Sequence, residues 1–277
     1  MAAGSLELTM TSQTRTAVTT GDGVRIAYRF DGDEDKPVLL LSNSIGTDLH
    51  MWDGQVPALT EHFRLLRYDA RGHGASDVPT GPYSLDRLGR DVVELLDALR
   101  LRRVHVLGLS LGGIVAQWLA IHVPERVGRL VLSNTAANLG PANQWDRPIA
   151  ELLEAPDMQV TAERFLRNWF PAHMLRGDDE VVEGFRRTLL ATRREGVAGS
   201  WAAVRDYDLR RTATLIASPT LVIAGEHDTV TSAGHGKELA ATVPGARFIL
   251  LPTVHMANVE AHTEFLDAVV PFLTRRS

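Results

Sequence analysis

A serine between glycines, a histidine and an aspartate stand at positions suited to acyl transfer. After the apolar run Val104–Leu107 comes Gly108-Leu109-Ser110-Leu111-Gly112-Gly113, and a helical period begins at once. This is G-x-S-x-G between a buried strand and a helix, where the serine sits at the apex of a tight, strained turn with its hydroxyl presented outward. Glycines at 108 and 112 let neighbouring backbone pass where a Cβ would clash. The helix N-terminus aims unpaired N–H groups at the reacting atom. A serine hydroxyl is a poor nucleophile until a base takes its proton. His255, in Thr253-Val254-His255-Met256, follows the last predicted strand on a short loop, and Asp228, in Gly225-Glu226-His227-Asp228, follows the strand before it. Ser110, Asp228 and His255 therefore fall in the chain order nucleophile, acid, base. Glu226 is the rival to Asp228. The competing reading of the glycine motif is a strand-to-helix turn with an incidental serine.

The elements that must position these groups are legible in the apolar pattern. Candidate strands are Arg15–Thr19, Val24–Phe30, Val38–Leu41, Leu65–Tyr68, Val104–Leu107, Leu130–Ser133, Leu221–Ala224 and Arg247–Leu250. Several are continuous Val, Leu and Ile runs, as expected of strands covered on both faces. The first two flank Thr20-Gly21-Asp22-Gly23 and read as an antiparallel hairpin at the sheet edge. Ser84 caps a predicted helix carrying Leu85, Leu88, Val92, Leu95, Leu96 and Leu99 on one face. A second helix is expected from Leu111 to about His122, stopping at Pro124, and a last one from about Glu260 to Phe272. The alternation predicts an α/β fold with a mostly parallel eight-stranded sheet and helices on both faces. From about Ala136 to Asp208 no strand is expected. Helical periods alternate there with Pro and Gly breaks, and seventy residues is too long for a bare loop. The expected division is a core of residues 1–135 and 209–277 with a helical insertion at 136–208. Residues 1–14 form a loose polar extension.

Composition removes other function classes. The chain has 277 residues, 44% hydrophobic and 23% charged, with no cysteine. That excludes a disulfide scaffold, a thiolate metal site and a cysteine nucleophile. The net charge of −5 argues against a nucleic-acid partner. No apolar run approaches the roughly 18 residues of a membrane span. The first fourteen residues show no basic and apolar signal pattern, so a cytoplasmic protein is expected. His227 beside Asp228 lacks the further spacing of a metal site and reads as a loop histidine. Gly108–Gly113 does not match G-x-G-x-x-G, so no dinucleotide is expected. His105 reads as a satisfied core histidine, His73 as structural in a Gly-rich turn, and Arg71 as a brace. Asp206 and Asp208 precede a strand and fall on its wrong side.

With these motifs in place the chain resembles the α/β-hydrolases over nearly its whole length. Asp69-Ala70-Arg71-Gly72-His73-Gly74-Ala75-Ser76 is similar to the family's D-x-R-G-x-G-x-S signature. Where most relatives carry His-Gly, this chain has Asn43-Ser44. The run Ser42-Asn43-Ser44-Ile45-Gly46-Thr47, with Tyr68-Asp69 and Ser133-Asn134-Thr135-Ala136-Ala137, looks most like 3-oxoadipate enol-lactonases of the β-ketoadipate route of aromatic catabolism.

The resemblance implies a cofactor-free, metal-free serine hydrolase. Ser110 would attack a lactone carbonyl, His255 would be base and then acid, and Asp228 would orient His255. The backbone N–H groups of Ile45 and Leu111 would hold the oxyanion, each worth about 3–4 kcal/mol in the transition state. The insertion would act as a cap, with Trp145, Phe165, Trp169, Phe170 and Trp201 as an apolar roof. The substrate's carboxylate calls for a cation, and Arg147 beside Trp145 is the candidate anchor, with Trp145 and Trp169 as substrate contacts. Residues 136–205 hold nine Arg, no Lys and ten acids, so the cap is not basic as a whole. Arg186, Arg187, Arg193 and Arg194 read as a solvated helix face. The same triad also suits a carboxylesterase, a carbon–carbon bond hydrolase or a perhydrolase, and the same fold suits a non-catalytic ligand receptor. The expected partner is a small lactone or ester. A homo-oligomer is left open.

Overall fold

The computed structural model describes residues 16–177 and 179–275. The extension, and Arg15 of the first predicted strand, lie outside the described residues. Eight strands form one sheet: β1 (Thr16–Thr19), β2 (Arg25–Asp31), β3 (Val38–Ser42), β4 (Arg64–Tyr68), β5 (Val104–Leu109), β6 (Val127–Ser133), β7 (Thr220–Gly225) and β8 (Arg247–Leu251). Their order is β1-β2-β4-β3-β5-β6-β7-β8. The pairs β1–β2 and β2–β4 are antiparallel and all others parallel. The hairpin thus sits at one edge, as its turn sequence predicts. The continuous apolar runs are the central strands. Leu39–Leu41, Leu130–Leu132 and Leu221–Ile223 are fully buried, because helices cover both faces.

Three helices accompany the first six strands: α1 (Val56–Thr60), α2 (Leu85–Ala98) and α3 (Leu111–His122). The Ser84 side chain accepts from Arg87 N–H and caps α2, whose buried face carries Leu85, Leu88, Val92, Leu95 and Leu96. Val123, ahead of Pro124, leaves the helical region at φ −138° and ends α3. Beyond β6 come α4 (Asp146–Glu154), α5 (Gln159–Trp169), α6 (Ala172–Leu175), α7 (Glu180–Ala191) and α8 (Arg194–Asp206). No strand interrupts them among the described residues. This excursion leaves and returns through one neck, where Leu209 N–H donates to the Ala137 carbonyl and Asn138 Nδ2 to the Tyr207 carbonyl. The last helices are α9 (Ala233–Thr242), α10 (Ala257–Glu260) and α11 (His262–Thr274). The terminal helix expected from about Glu260 to Phe272 is α11, and the short α10 precedes it, separated by Ala261 at φ −121°, ψ +56°. No helix among the described residues is long and apolar enough to cross a membrane.

The chain runs from β3 outward to β4 and then back across to β5 on the other side. Such a reversal opens a crevice at the carboxyl ends of β3 and β5. The loop carrying Ile45 and the turn carrying Ser110 both leave the sheet there.

Candidate active site

Ser110 joins β5 to α3 with φ +56° and ψ −118°, a region that a non-glycine residue occupies only under constraint. The constraint is close packing. A Cβ on Gly112 would come within 2.0 Å of the Ser42 carbonyl oxygen, and one on Gly108 within 2.3 Å of the Gly112 carbonyl oxygen. Ser110 N–H donates to the Ser133 carbonyl at 3.0 Å, and Thr135 Oγ1 donates to the Ser110 carbonyl at 2.8 Å. The Ser110 hydroxyl makes no hydrogen bond among the described residues. It faces a cavity of about 460 Å³ whose wall also includes Ile45, Leu111 and His255.

Asp228 and His255 are directly joined: His255 Nδ1–H donates to Asp228 Oδ2 at 2.7 Å. That bond leaves His255 Nε2 as the ring's acceptor, the state a general base needs. Asp228 is 4% exposed and His255 1%. The carboxylate is saturated. Asn134 Nδ2 and Thr231 Oγ1 donate to Oδ2 at 3.0 and 2.8 Å, and the Val230 and Thr231 N–H groups donate to Oδ1 at 2.8 and 3.0 Å. Burial by itself would raise the Asp228 carboxyl. The His255 charge and hydrogen bond, then Asn134 and the Thr231 N–H, outweigh burial and hold it below its ordinary value. Glu226, the rival acid, is exposed and makes no hydrogen bond or ion pair with His255 among the described residues.

Ile45 follows β3 in a turn, and its N–H has no partner among the described residues. Leu111 is the first residue of α3, where a helix leaves its N–H groups unpaired. Two free donors therefore border the cavity that Ser110 faces. The Asn43 side chain is what builds this loop: its Nδ2 donates to the Tyr68 carbonyl at 2.7 Å, and its Oδ1 accepts Trp52 Nε1–H at 2.9 Å.

The cavity roof is Trp145, Phe165, Trp169 and Trp201. Phe170 does not reach it and packs on Phe185 at 5.2 Å between ring centroids. Arg147 is not in the cavity either. Its side chain is 87% exposed and paired with Glu151 at 2.6 Å, one helical turn on. The cation that lines the cavity is Arg164. Its guanidinium lies 5.0 Å from the Trp201 ring centroid and has no carboxylate within ion-pair distance among the described residues. Burial depresses its pKa, with Glu151 opposing and Arg167 adding to the effect. A half-buried cation without a counter-ion is costly unless an anion arrives. Gln144, Asn168 and His235 supply further polar groups.

Sequence reasoning missed Arg164, Asn134 and Thr231 as site residues. Asn134 stood in a motif already singled out, directly after a strand that ends at this edge. Arg164 has no acid three or four residues away, whereas Arg147 has Glu151 at i+4. The remaining candidates are structural. His105 Nδ1 accepts Arg129 N–H, Arg71 pairs with Asp91 and Asp22, and Arg186 pairs with Glu163 and Glu183. Asp206 and Asp208 are exposed and held by Arg205 and Arg210. His227 is exposed, and no group of three metal-ligating side chains occurs among the described residues.

This sheet order, with the strained serine turn between β5 and α3, defines an α/β-hydrolase. A family profile described as the alpha/beta hydrolase fold matches residues 37–261, and the chain belongs to that family and is a hydrolase. Among curated proteins it is similar to 3-oxoadipate enol-lactonase 2 of Acinetobacter baylyi, 36% identical over 92% of this chain and 96% of that one. Among solved structures it is similar to a hydrolase from Pseudomonas aeruginosa, 61% identical with TM-score 0.94 over 95% of this chain and all of the other. It is also similar to the enol-lactonase from Burkholderia xenovorans, 39% identical with TM-score 0.90 over 94% of this chain and all of that one.

Proposed function

We propose that this enzyme opens a carboxylate-bearing lactone, of the 3-oxoadipate enol-lactone kind, through an acyl-enzyme on Ser110. The observation that carries this reading is the buried Asp228–His255 pair, whose imidazole lines the same cavity as Ser110. Ser110 Oγ bonds to the lactone carbonyl carbon as its proton passes to His255 Nε2. Asp228 stabilises the imidazolium and stays ionised. The Ile45 and Leu111 N–H groups take the developing oxyanion. The ring C–O bond then breaks. The imidazolium proton passes to the leaving enolate oxygen, which is less basic than an alkoxide and needs less assistance, and His255 is neutral again. The released enol tautomerises to the ketone, which draws the reaction toward hydrolysis. Water, losing its proton to His255, adds to the acyl carbonyl; the Ser110 Oγ–carbon bond breaks as His255 returns that proton to Oγ, and the product acid leaves as a carboxylate.

Arg164 supports a substrate carrying a carboxylate of its own, since it brings an uncompensated cation to the cavity wall. The 136–208 stretch is read as the cap that selects the substrate. The likeness to enol-lactonases supports the ring-opening chemistry and a cytoplasmic place in aromatic catabolism. The test is a kcat/KM comparison over enol-lactones, saturated lactones and neutral aryl esters. Preference for a carboxylate-bearing enol-lactone supports the reading. Preference for neutral esters makes the enzyme a carboxylesterase, and turnover of a ring-cleavage diketone or of peroxide-dependent substrates moves it to those alternatives. Ser110→Ala should lower turnover by at least about a thousandfold. Near wild-type turnover by that variant sinks the mechanism, and a wild-type protein that a serine-directed phosphonate fails to label is a receptor.

A further inference from the structure

The proposed oxyanion donor Ile45 sits on a loop with no strand or helix of its own. Ser44 to Thr47 form a turn closed by Thr47 N–H donating to the Ser44 carbonyl at 3.3 Å. Thr47 Oγ1 donates to the same carbonyl at 2.7 Å. The third residue, Gly46, has φ +77°, the sign a type II turn requires at that position. Four residues of the same length also close as a type I turn, in which the central peptide is rotated by roughly half a circle. Here that peptide is Ile45–Gly46. The rotation exchanges the places of the Ile45 carbonyl and the Gly46 N–H.

One contact selects between the two. Gly46 N–H donates to His73 Nε2 at 2.9 Å. The other ring nitrogen, Nδ1, lies 3.1 Å from the Arg71 carbonyl, which can only accept. A neutral imidazole has one donor and one acceptor, so the Arg71 carbonyl fixes the tautomer and leaves a lone pair at Nε2. A rotated peptide would set the Ile45 carbonyl oxygen against that lone pair. The acceptor is itself well held. His73 is 2% exposed, its N–H donates to the Ala70 carbonyl, and its carbonyl accepts from Ser76 N–H. Asp69 binds the two loops together by accepting from Leu49 N–H and Ala75 N–H at 2.7 and 2.8 Å.

We infer that His73 is a positioning residue for the hydrolytic reaction: by accepting from Gly46 N–H, its Nε2 lone pair anchors the turn that carries the Ile45 N–H against the loop after β4. Both peptides flanking Ile45 are then pinned, one by Thr47 and the other by His73. This inference rests on Ile45 as oxyanion donor. It gives His73 a task beyond filling a Gly-rich turn, and burial, which pushes the His73 imidazole below its ordinary value, acts in the same direction.

Two substitutions separate the two ring nitrogens. His73→Gln can place an amide oxygen near the Nε2 position, keeping an acceptor for Gly46. His73→Asn can keep a donor for the Arg71 carbonyl but leaves Gly46 without its acceptor. Removing one oxyanion donor outright costs about 10²–10³ in kcat, and a misaimed donor should cost less, about 10–100-fold. With p-nitrophenyl acetate, H73N should lose that much kcat at nearly unchanged KM, and H73Q should recover most of it. The inference is overturned if H73N keeps wild-type kcat, if H73Q falls as far as H73N, or if only KM moves. A second measurement needs no variant: ¹⁵N spectra of the wild-type imidazole should show the Nδ1–H tautomer, and the Nε2–H tautomer would overturn the inference. The simple ester keeps this test independent of the lactone assignment. Full turnover by Ser110→Ala would instead sink the underlying reaction.

Discussion

Asp228 illustrates how much a single carboxylate is asked to do. It accepts from five donors, so its orientation is fixed before any substrate arrives, and it dictates which nitrogen of His255 carries the proton. In Asp228→Asn an amide would face the imidazole and favour the wrong tautomer. By analogy with triads of this kind, kcat should fall by about 10⁴ with little change in fold, as steady-state kinetics and circular dichroism can check. His73 and His105 carry a stability signature. Burial leads the causes that hold both below the ordinary histidine value of 6.5. The unfolded chain therefore binds protons below about pH 6.5 that the folded chain refuses, so stability falls as pH drops through that value. His73→Gln should show a smaller loss of melting temperature between about pH 7.5 and pH 5.5 than the wild type. His105 retains its share of the slope.

At the scale of elements, the joints matter more than the helices and strands themselves. α8 meets the loop after β4 at Gly196 and Gly72, where a Cβ on Gly196 would come within 2.0 Å of the Gly72 carbonyl oxygen. Tyr83 N–H donates to the Gly199 carbonyl just beyond. α8 also carries Trp201 into the cavity roof. Gly196→Ala should push α8 outward and cost about 1–3 kcal/mol, read as a lower urea midpoint at constant slope. The strands and α2 were legible because each declares itself locally: a run of Val, Leu and Ile, or Ser84 followed by apolar residues at steps of three and four. The Gly196–Gly72 contact was not. Its two halves are more than a hundred residues apart, and although Gly72 stands in a recognisable signature, nothing local to either glycine names the other as its partner. The short α10 ahead of the terminal helix also escaped the pattern, since four residues are too few to show a helical period.

Across the whole molecule, the candidate site lies where the carboxyl edge of the sheet meets the helices that follow β6. Ser110, His255, Ile45 and Leu111 line the cavity from the sheet side, and residues between 136 and 208 line it with aromatic rings and Arg164. A charge-assisted hydrogen bond is worth about 1.5–3 kcal/mol. Arg164→Gln should therefore raise KM for a carboxylate-bearing lactone by about 10–100-fold and shift preference toward neutral aryl esters. Arg147→Gln, on an exposed helix face, should leave both substrates as they are. Equal effects of the two changes would remove Arg164 from substrate recognition.

The amino-acid sequence by itself determined the strand and helix pattern, the glycine-flanked serine, and the order in which the serine, aspartate and histidine follow one another. Those properties are written in short stretches, because backbone conformation and apolar periodicity act over a few neighbours. Only the tertiary structure decided that Arg164 rather than Arg147 lines the cavity, that Asn134 and Thr231 complete the Asp228 shell, and that His73 meets Gly46. Each of these depends on contacts between distant segments, and their geometry is set when the sheet and the helices above it pack against one another.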